Sequence, residues 1–222
     1  MDGHWCLMKK LSAIINSDNN IHASIHSDNV AQSTADVAGD FSSGAVFESL
    51  SDHYKNYNND DVENLTFFSG NSKDLNSYHW ERRNKNTPIN KNHEDTSKAL
   101  DKTINKNRLD KDHILYSGSR HDPREKMNAL GIVHHPAYLS TTPSKLVAQS
   151  FAKDNESDNG VNLFKIKVPK GHPAAYIGKH SWVNPGEKEV LLPRGLNLRH
   201  IKTTKYNDNN YEIKMHHMEV VP

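Results

Sequence analysis

Two glutamates separated by one residue stand out in "NPGEKEVLLPRG" (Asn184 to Gly195). Glu187 and Glu189 flank Lys188, after an Asn-Pro-Gly turn and before an apolar Val-Leu-Leu run. On an extended chain alternate side chains share a face, so the two carboxylates face one way and Lys188 the other. A pair placed like this can divide two tasks at one centre: one carboxylate meets developing positive charge and its neighbour takes a proton. A second group of reactive side chains lies upstream in "LSTTPSKLVAQSFA", where Ser140, Thr141 and Thr142 end a short strand. A serine hydroxyl there can bond a glutamate and fix its rotamer. A third stretch, "LYSGSRHDPR", carries Tyr116, Ser117 and Gly118 at a strand end, with Arg120 and Arg124 just beyond.

Each group also has a bland reading. Carboxylates beside a turn often sit on a solvated strand edge, and hydroxyls before a proline-started helix often serve as caps. Arginines in a loop are mostly surface residues. Trp182, just before the Glu-x-Glu turn, also fits a core aromatic. The histidines invite a metal reading through His22 and His26, the pair His134 and His135, and the pair His216 and His217. A structural zinc site usually takes four ligands, often cysteines. The chain has one cysteine, Cys6, and neighbouring residues on a strand point to opposite faces. No metal is expected.

The chain that must position these groups has 222 residues, of which 34% are hydrophobic, and a net charge of +1. That length holds one domain with a real core plus an extension. The near-neutral charge makes no case for a nucleic-acid or membrane partner, and no apolar run is long enough to span a bilayer. "MKKLSAII" has a basic start, but its apolar stretch is too short for a signal peptide. One cysteine excludes an internal disulfide framework and fits a reducing, cytoplasmic setting, as it equally fits a disulfide-free secreted protein.

Residues 1–43 are rich in Asn, Ser, Asp and His with no sustained period, which predicts a flexible polar tail ahead of a domain over 44–222. Helical spacing appears in "FESLSDHYKNY" (Phe47 to Tyr57), with Phe47, Leu50, Tyr54 and Tyr57 on one face. A second helix is expected over "SKDLNSYHWERR", with Ser72 as its cap and Arg82 and Arg83 in its last turn. A third covers "HEDTSKALDKTINKN". Strands are then expected at "HILYSG", "AYLSTT", "VNLFKIKVP", "EKEVLLPRG", "LNLRHIKTT" and "YEIKMHHMEVV", with a helix at "PSKLVAQSFA". Helices first and short strands after argue for an α+β fold of two packed, mainly antiparallel sheets with N-terminal helices. Walker, dinucleotide-fold and serine-hydrolase motifs are absent.

Taken in order, "LYSG", "LSTTPSKLVAQSFA" and "NPGEKEVLLPRG" resemble the ADP-ribosyltransferases of the arginine, serine-threonine-serine, Glu-x-Glu class, whose fold is shared with bacterial toxins. "FFSGNSKDLNSYHWERR" is similar to that family's opening helix. The resemblance covers Phe47 to the C-terminus. It implies NAD as a substrate in a cleft between two sheets, with nicotinamide leaving and ADP-ribose passing to an acceptor on a target protein. Glu189 matches the catalytic glutamate, Glu187 the acceptor-facing acid and Ser140 the first serine of the motif. Thr141 and Thr142 follow it in the NAD-binding strand, Tyr116 and Gly118 belong to the first strand, and Trp182 stands where an aromatic helps to recognise the target.

Chemistry supports these roles. Cleaving the nicotinamide bond builds oxocarbenium-like charge on the ribose, which a fixed carboxylate stabilises most as it develops. A cationic arginine acceptor needs orientation and partial deprotonation, which suits Glu187. The departure from the pattern is Ser117, in the slot where the family has an arginine for the NAD phosphates. Arg120 and Arg124 are the candidates to replace it. This form is similar to phage enzymes injected with viral DNA that modify host RNA polymerase, which implies a host-cell protein as partner. A secreted toxin is the other delivery route. Two other functions fit the same residues: an NAD glycohydrolase with water as acceptor, and a non-catalytic partner-binding relative.

Overall fold

The protein is described from a computed structural model covering residues 57–83, 87–156, 160–178 and 188–222. The expected tail over 1–43 and most of the helix from Phe47 to Tyr57 lie outside these residues.

The first helix, α1 (Asn59–Glu81), begins well upstream of Ser72. Asn58 caps it: its side chain accepts from the Asp61 amide at 3.0 Å, and the Asp61 carboxylate accepts from the Asn58 amide at 2.9 Å. Reciprocal capping satisfies two end donors at once, so Ser72 is left as an interior residue. Leu65, Phe68, Leu75 and Tyr78 are buried along one stripe, set three and seven apart as a helical face requires. They meet Leu100 and Ile104 of α2 (Lys91–Asn105), where Asn90 caps by accepting from the His93 amide. The buried Asp61 also joins the two helices, accepting from the Thr103 hydroxyl at 3.0 Å and from Lys106 at 2.5 Å.

Two sheets follow. The larger runs β1 (His113–Ser119), β4 (Val161–Val168), β8 (Tyr211–Val221), β7 (Leu196–Asp208) and β2 (Ile132–His135), in that spatial order. All its pairings are antiparallel except β4 with β8. The smaller sheet is antiparallel, with β6 (Val190–Leu192) between β3 (Leu139–Thr141) and β5 (Ala175–Tyr176). This is the α+β, mainly antiparallel architecture that the pattern predicts. Strands β2 and β5 were not among the expected elements.

The Val-Leu-Leu run is apolar throughout because β6 is covered on both faces. Val190 and Leu192 join the core under the larger sheet with Leu115, Ile166 and Met218, while Leu191 turns to the helical core with Phe68 and Leu100. Helix α3 (Lys145–Asp154) is capped by Ser144, so Pro143 precedes the cap instead of sitting in the first turn. It packs on β1 so closely that a Cβ built on Gly118 would lie 2.6 Å from the Ala152 nitrogen and 2.8 Å from the Ala148 oxygen. Gly118 is therefore a packing glycine at the strand–helix contact.

Candidate active site

The two sheets meet where the predicted residues converge. Tyr116 and Thr142 exchange both backbone hydrogen bonds, each at 2.8 Å, bridging β1 to the end of β3. Beside them the buried Ser117 hydroxyl donates to the Ser140 carbonyl at 2.8 Å. The side chain in the expected arginine's slot thus ties the sheets together. Ser140 lies on β3, whose register sets Thr141 opposite Val190 and Ser140 opposite Leu191. From there its hydroxyl bonds the Glu189 carboxylate.

Glu189 immediately precedes β6, and its carbonyl accepts from the Ile177 amide at 2.9 Å. Its backbone is therefore fixed from the β5 side and its carboxylate from β3. Burial pushes the Glu189 carboxyl above the ordinary range, and the Ser140 hydroxyl, by bonding the charged form, pulls the other way. The neighbouring Lys188 has φ of 50° and lies in the left-handed region. The strand alternation assumed for residues 187–189 therefore does not hold at Lys188, because β6 begins only at Val190. Glu187 and Trp182 lie outside the described residues.

The other motif hydroxyls are occupied with backbone. Thr141 is buried and donates to the Val190 carbonyl at 2.6 Å, and the Thr142 hydroxyl accepts from the Ser144 amide at 3.2 Å. Among these three side chains, the one bonded to the carboxylate is Ser140. Tyr116 is half-buried and packs on the Ala148 and Ala152 face of α3.

A cavity of about 750 Å³ opens beside this seam, bordered by Ser117 and Gly118 at the end of β1. Arg120 lines it and makes no ion pair among the described residues. Arg124 does not line it. Its guanidinium forks onto Asp122, with Nε at 2.9 Å and Nη2 at 2.6 Å from the two carboxylate oxygens. That grip holds the Asp122 carboxyl down at about 2. Trp80 and Arg83 from the end of α1 line it too, with Lys126 and His135. Residue pattern alone implies no more than a helix-end role for Arg83, and none for Trp80 or Lys126. The signal for Arg83 was the basic end of "HWERR"; Lys126, in a polar loop, gave none.

The half-buried His135 lines the cavity, and the buried His216 packs edge-on against Phe164 of its lining. Burial pushes His135 and His216 down to about 4. His216 bonds the Asn162 side chain at 3.0 Å through Nε2 and the Thr203 hydroxyl at 3.0 Å through Nδ1, while His217 meets the Thr204 hydroxyl. The doublet thus splits to different partners. Among the described residues, no three His, Cys, Asp or Glu side chains gather as a metal site.

Residues 47–219 match the model of the ADP-ribosyltransferase exoenzyme family. The chain belongs to that family. Its fold is similar to Plx2a, an ADP-ribosyltransferase toxin from Paenibacillus larvae, with a TM-score of 0.65 and 17% identity over 83% of this chain and 97% of that one. It is also similar to the C3larvin toxin from the same organism, with a TM-score of 0.60 and 20% identity over 79% and 94% of the two chains. C3stau2 from S. aureus, solved with NAD, aligns with a TM-score of 0.58 and 19% identity over 88% and 99%. A search of curated protein sequences gives no match.

Proposed function

We propose that the protein is a mono-ADP-ribosyltransferase that moves ADP-ribose from NAD to an arginine of a host-cell protein. The observation that carries this reading is the half-buried Glu189 carboxylate held by Ser140, whose carbonyl accepts from Ser117 at the edge of a cavity that Arg120 lines. In the reaction the bond between the nicotinamide nitrogen and the ribose breaks, and its electron pair leaves with neutral nicotinamide. Glu189 stabilises the positive charge left on the ribose. The acceptor nitrogen forms the new bond and loses a proton, and Glu187 is assigned to take it. Arg120 is assigned to the diphosphate, because a planar guanidinium with no carboxylate partner among the described residues suits bidentate phosphate recognition. Asp122 already holds Arg124.

Labelled NAD incubated with the protein and a host-cell lysate tests the assignment. Transfer predicts label on protein, a glycohydrolase gives free ADP-ribose, and a non-catalytic relative gives neither. Glu187→Gln is expected to reduce transfer more than NAD hydrolysis. Equal loss of both would remove Glu187 from the acceptor role.

A further inference from the structure

The small sheet at the seam is short: β3 and β6 have three residues each and β5 has two. So few ladder bonds hold strands weakly by themselves. Just outside each strand of the seam, a side chain reaches the same carboxylate on α2. Tyr138 immediately precedes β3, and its hydroxyl donates to Asp101 Oδ1 at 2.6 Å. Arg194 stands two residues past β6, with Nε 3.1 Å and Nη2 2.8 Å from Asp101 Oδ2. One carboxylate therefore serves both strands. The Tyr138 ring is buried, edge-on to Phe68 and to His79 at 5.6 Å each. His79 in turn bonds the Ser97 hydroxyl at 2.8 Å, and the Tyr138 amide donates to the Asn76 side chain at 3.1 Å. Burial, with Asp101 beside it, pushes the phenol well above its ordinary range, so it stays a donor.

Resting on the transferase reading, we infer that Asp101 is a positioning residue for the reaction, a clamp on α2 that sets β3 against β6 at the seam. The two strands pair antiparallel, with Leu139 opposite Leu192 and Thr141 opposite Val190. Tyr138 precedes Leu139 and Arg194 follows Leu192, so the clamp grips one end of the pair. Towards the other end the Ser140 hydroxyl bonds the Glu189 carboxylate, and the Thr141 hydroxyl bonds the Val190 carbonyl. A shift of either strand at the clamped end is passed along so short a pair, and a hydrogen bond weakens steeply as its alignment is lost. A half-buried ion pair adds little net stability once its desolvation is counted. What the clamp supplies is geometry.

The test is titration of the Glu189 carboxyl by carbon-13 NMR in the full chain, with Glu189→Gln as the assignment control. NAD turnover and melting curves are recorded beside it. Asp101→Asn keeps an acceptor for Tyr138 but removes the charge that holds Arg194, and Tyr138→Phe removes one hydroxyl. Each is expected to move the Glu189 titration to higher pH, the direction expected of Ser140→Ala, and to lower kcat about ten-fold with KM for NAD within about two-fold. In a Ser140→Ala background neither is expected to move the titration further, since the bond they act through is gone. A lower melting temperature with the titration and kcat unmoved would mean that the clamp serves stability alone, and overturns the inference. A shift that adds fully to that of Ser140→Ala overturns it as well. If Asp101→Asn does not fold, Tyr138→Phe carries the same comparison. A wild-type chain with neither transfer nor NAD hydrolysis overturns the transferase reading, and this inference with it. An active wild type whose Glu189 titration is matched by both variants overturns this inference alone.

Discussion

The two borders of the cleft treat charge in opposite ways. At the seam the Glu189 carboxylate is half-buried, its backbone tied to the end of β5 and its side chain to Ser140. Around the cavity Arg83, Arg120 and Lys126 are exposed and make no ion pair among the described residues. A buried carboxylate is costly unless bonded, but it is already positioned when charge develops on a substrate. Exposed arginines and lysines cost little, and can close on a diphosphate when it arrives. On the proposed reaction, the first border determines turnover and the second determines substrate affinity.

The largest expected effect tests the seam. Glu189→Gln keeps the shape and removes the charge, so kcat for transfer and for NAD hydrolysis should fall together by about 10²–10³-fold or more, with the melting transition preserved. Near-normal turnover would break the comparison. Next comes the cationic wall, where Arg120→Ala should raise KM for NAD about ten-fold or more while kcat changes little. Arg124→Ala should instead release Asp122 and lower the melting temperature. A reversed pattern of the two would move the phosphate role to Arg124.

A smaller effect sharpens the seam further. With its pKa raised, Glu189 becomes fully charged only above the ordinary glutamate range, so activity should rise with pH on the acid limb. Ser140→Ala removes the bond that favours the charged form. The acid limb should then move to higher pH, with a kcat loss of about ten-fold or less. An unmoved pH–rate profile would show that Ser140 does not tune the carboxylate.

The smallest expected effect is on stability. His79, His135 and His216 are each held at about 4 by burial. Their folded pKa values lie below the unfolded value of about 6.5, so the folded state binds fewer protons than the unfolded one in that range. Their contribution is present above about pH 6.5 and is lost as pH falls towards 4. The melting temperature should drop across that window by several degrees, and His216→Gln should flatten the drop. Asp122, held at about 2, adds most of its loss below that interval, as pH falls through the ordinary carboxylate range towards 2.

The sequence made the seam legible because two independent patterns pointed to it. The Glu-x-Glu before an apolar run and the hydroxyl triplet ending a strand both required β3 and β6 to lie together, and the register pairs Thr141 with Val190. The cationic wall was less legible. Spacing alone cannot say that Asp122 grips Arg124 and leaves Arg120 free, since both arginines follow the same glycine. Ser72 had cap chemistry but lost to the reciprocal pair of Asn58 and Asp61, a choice set by where the apolar stripe begins. Lys188 broke the expected alternation through its backbone, which residue type does not encode. Gly118, which the resemblance puts at the NAD site, lines the cavity and is also where α3 comes closest to β1, a contact its residue type alone does not encode.

The hairpin of β7 and β8 bears on how the chain assembles. Its register closes with Asp208 opposite Tyr211 around Asn209, which has φ of 55°. Contacts this local need little loop closure, whereas joining Ser117 to Ser140, Thr141 to Val190 or β4 to β8 encloses long stretches of chain. The hairpin can therefore nucleate early, and the seam that fixes the Glu189 carboxylate must come late. Refolding from denaturant should recover the far-ultraviolet signal before enzymatic competence, with a lag between the two that lengthens when the Ser117 tether is removed.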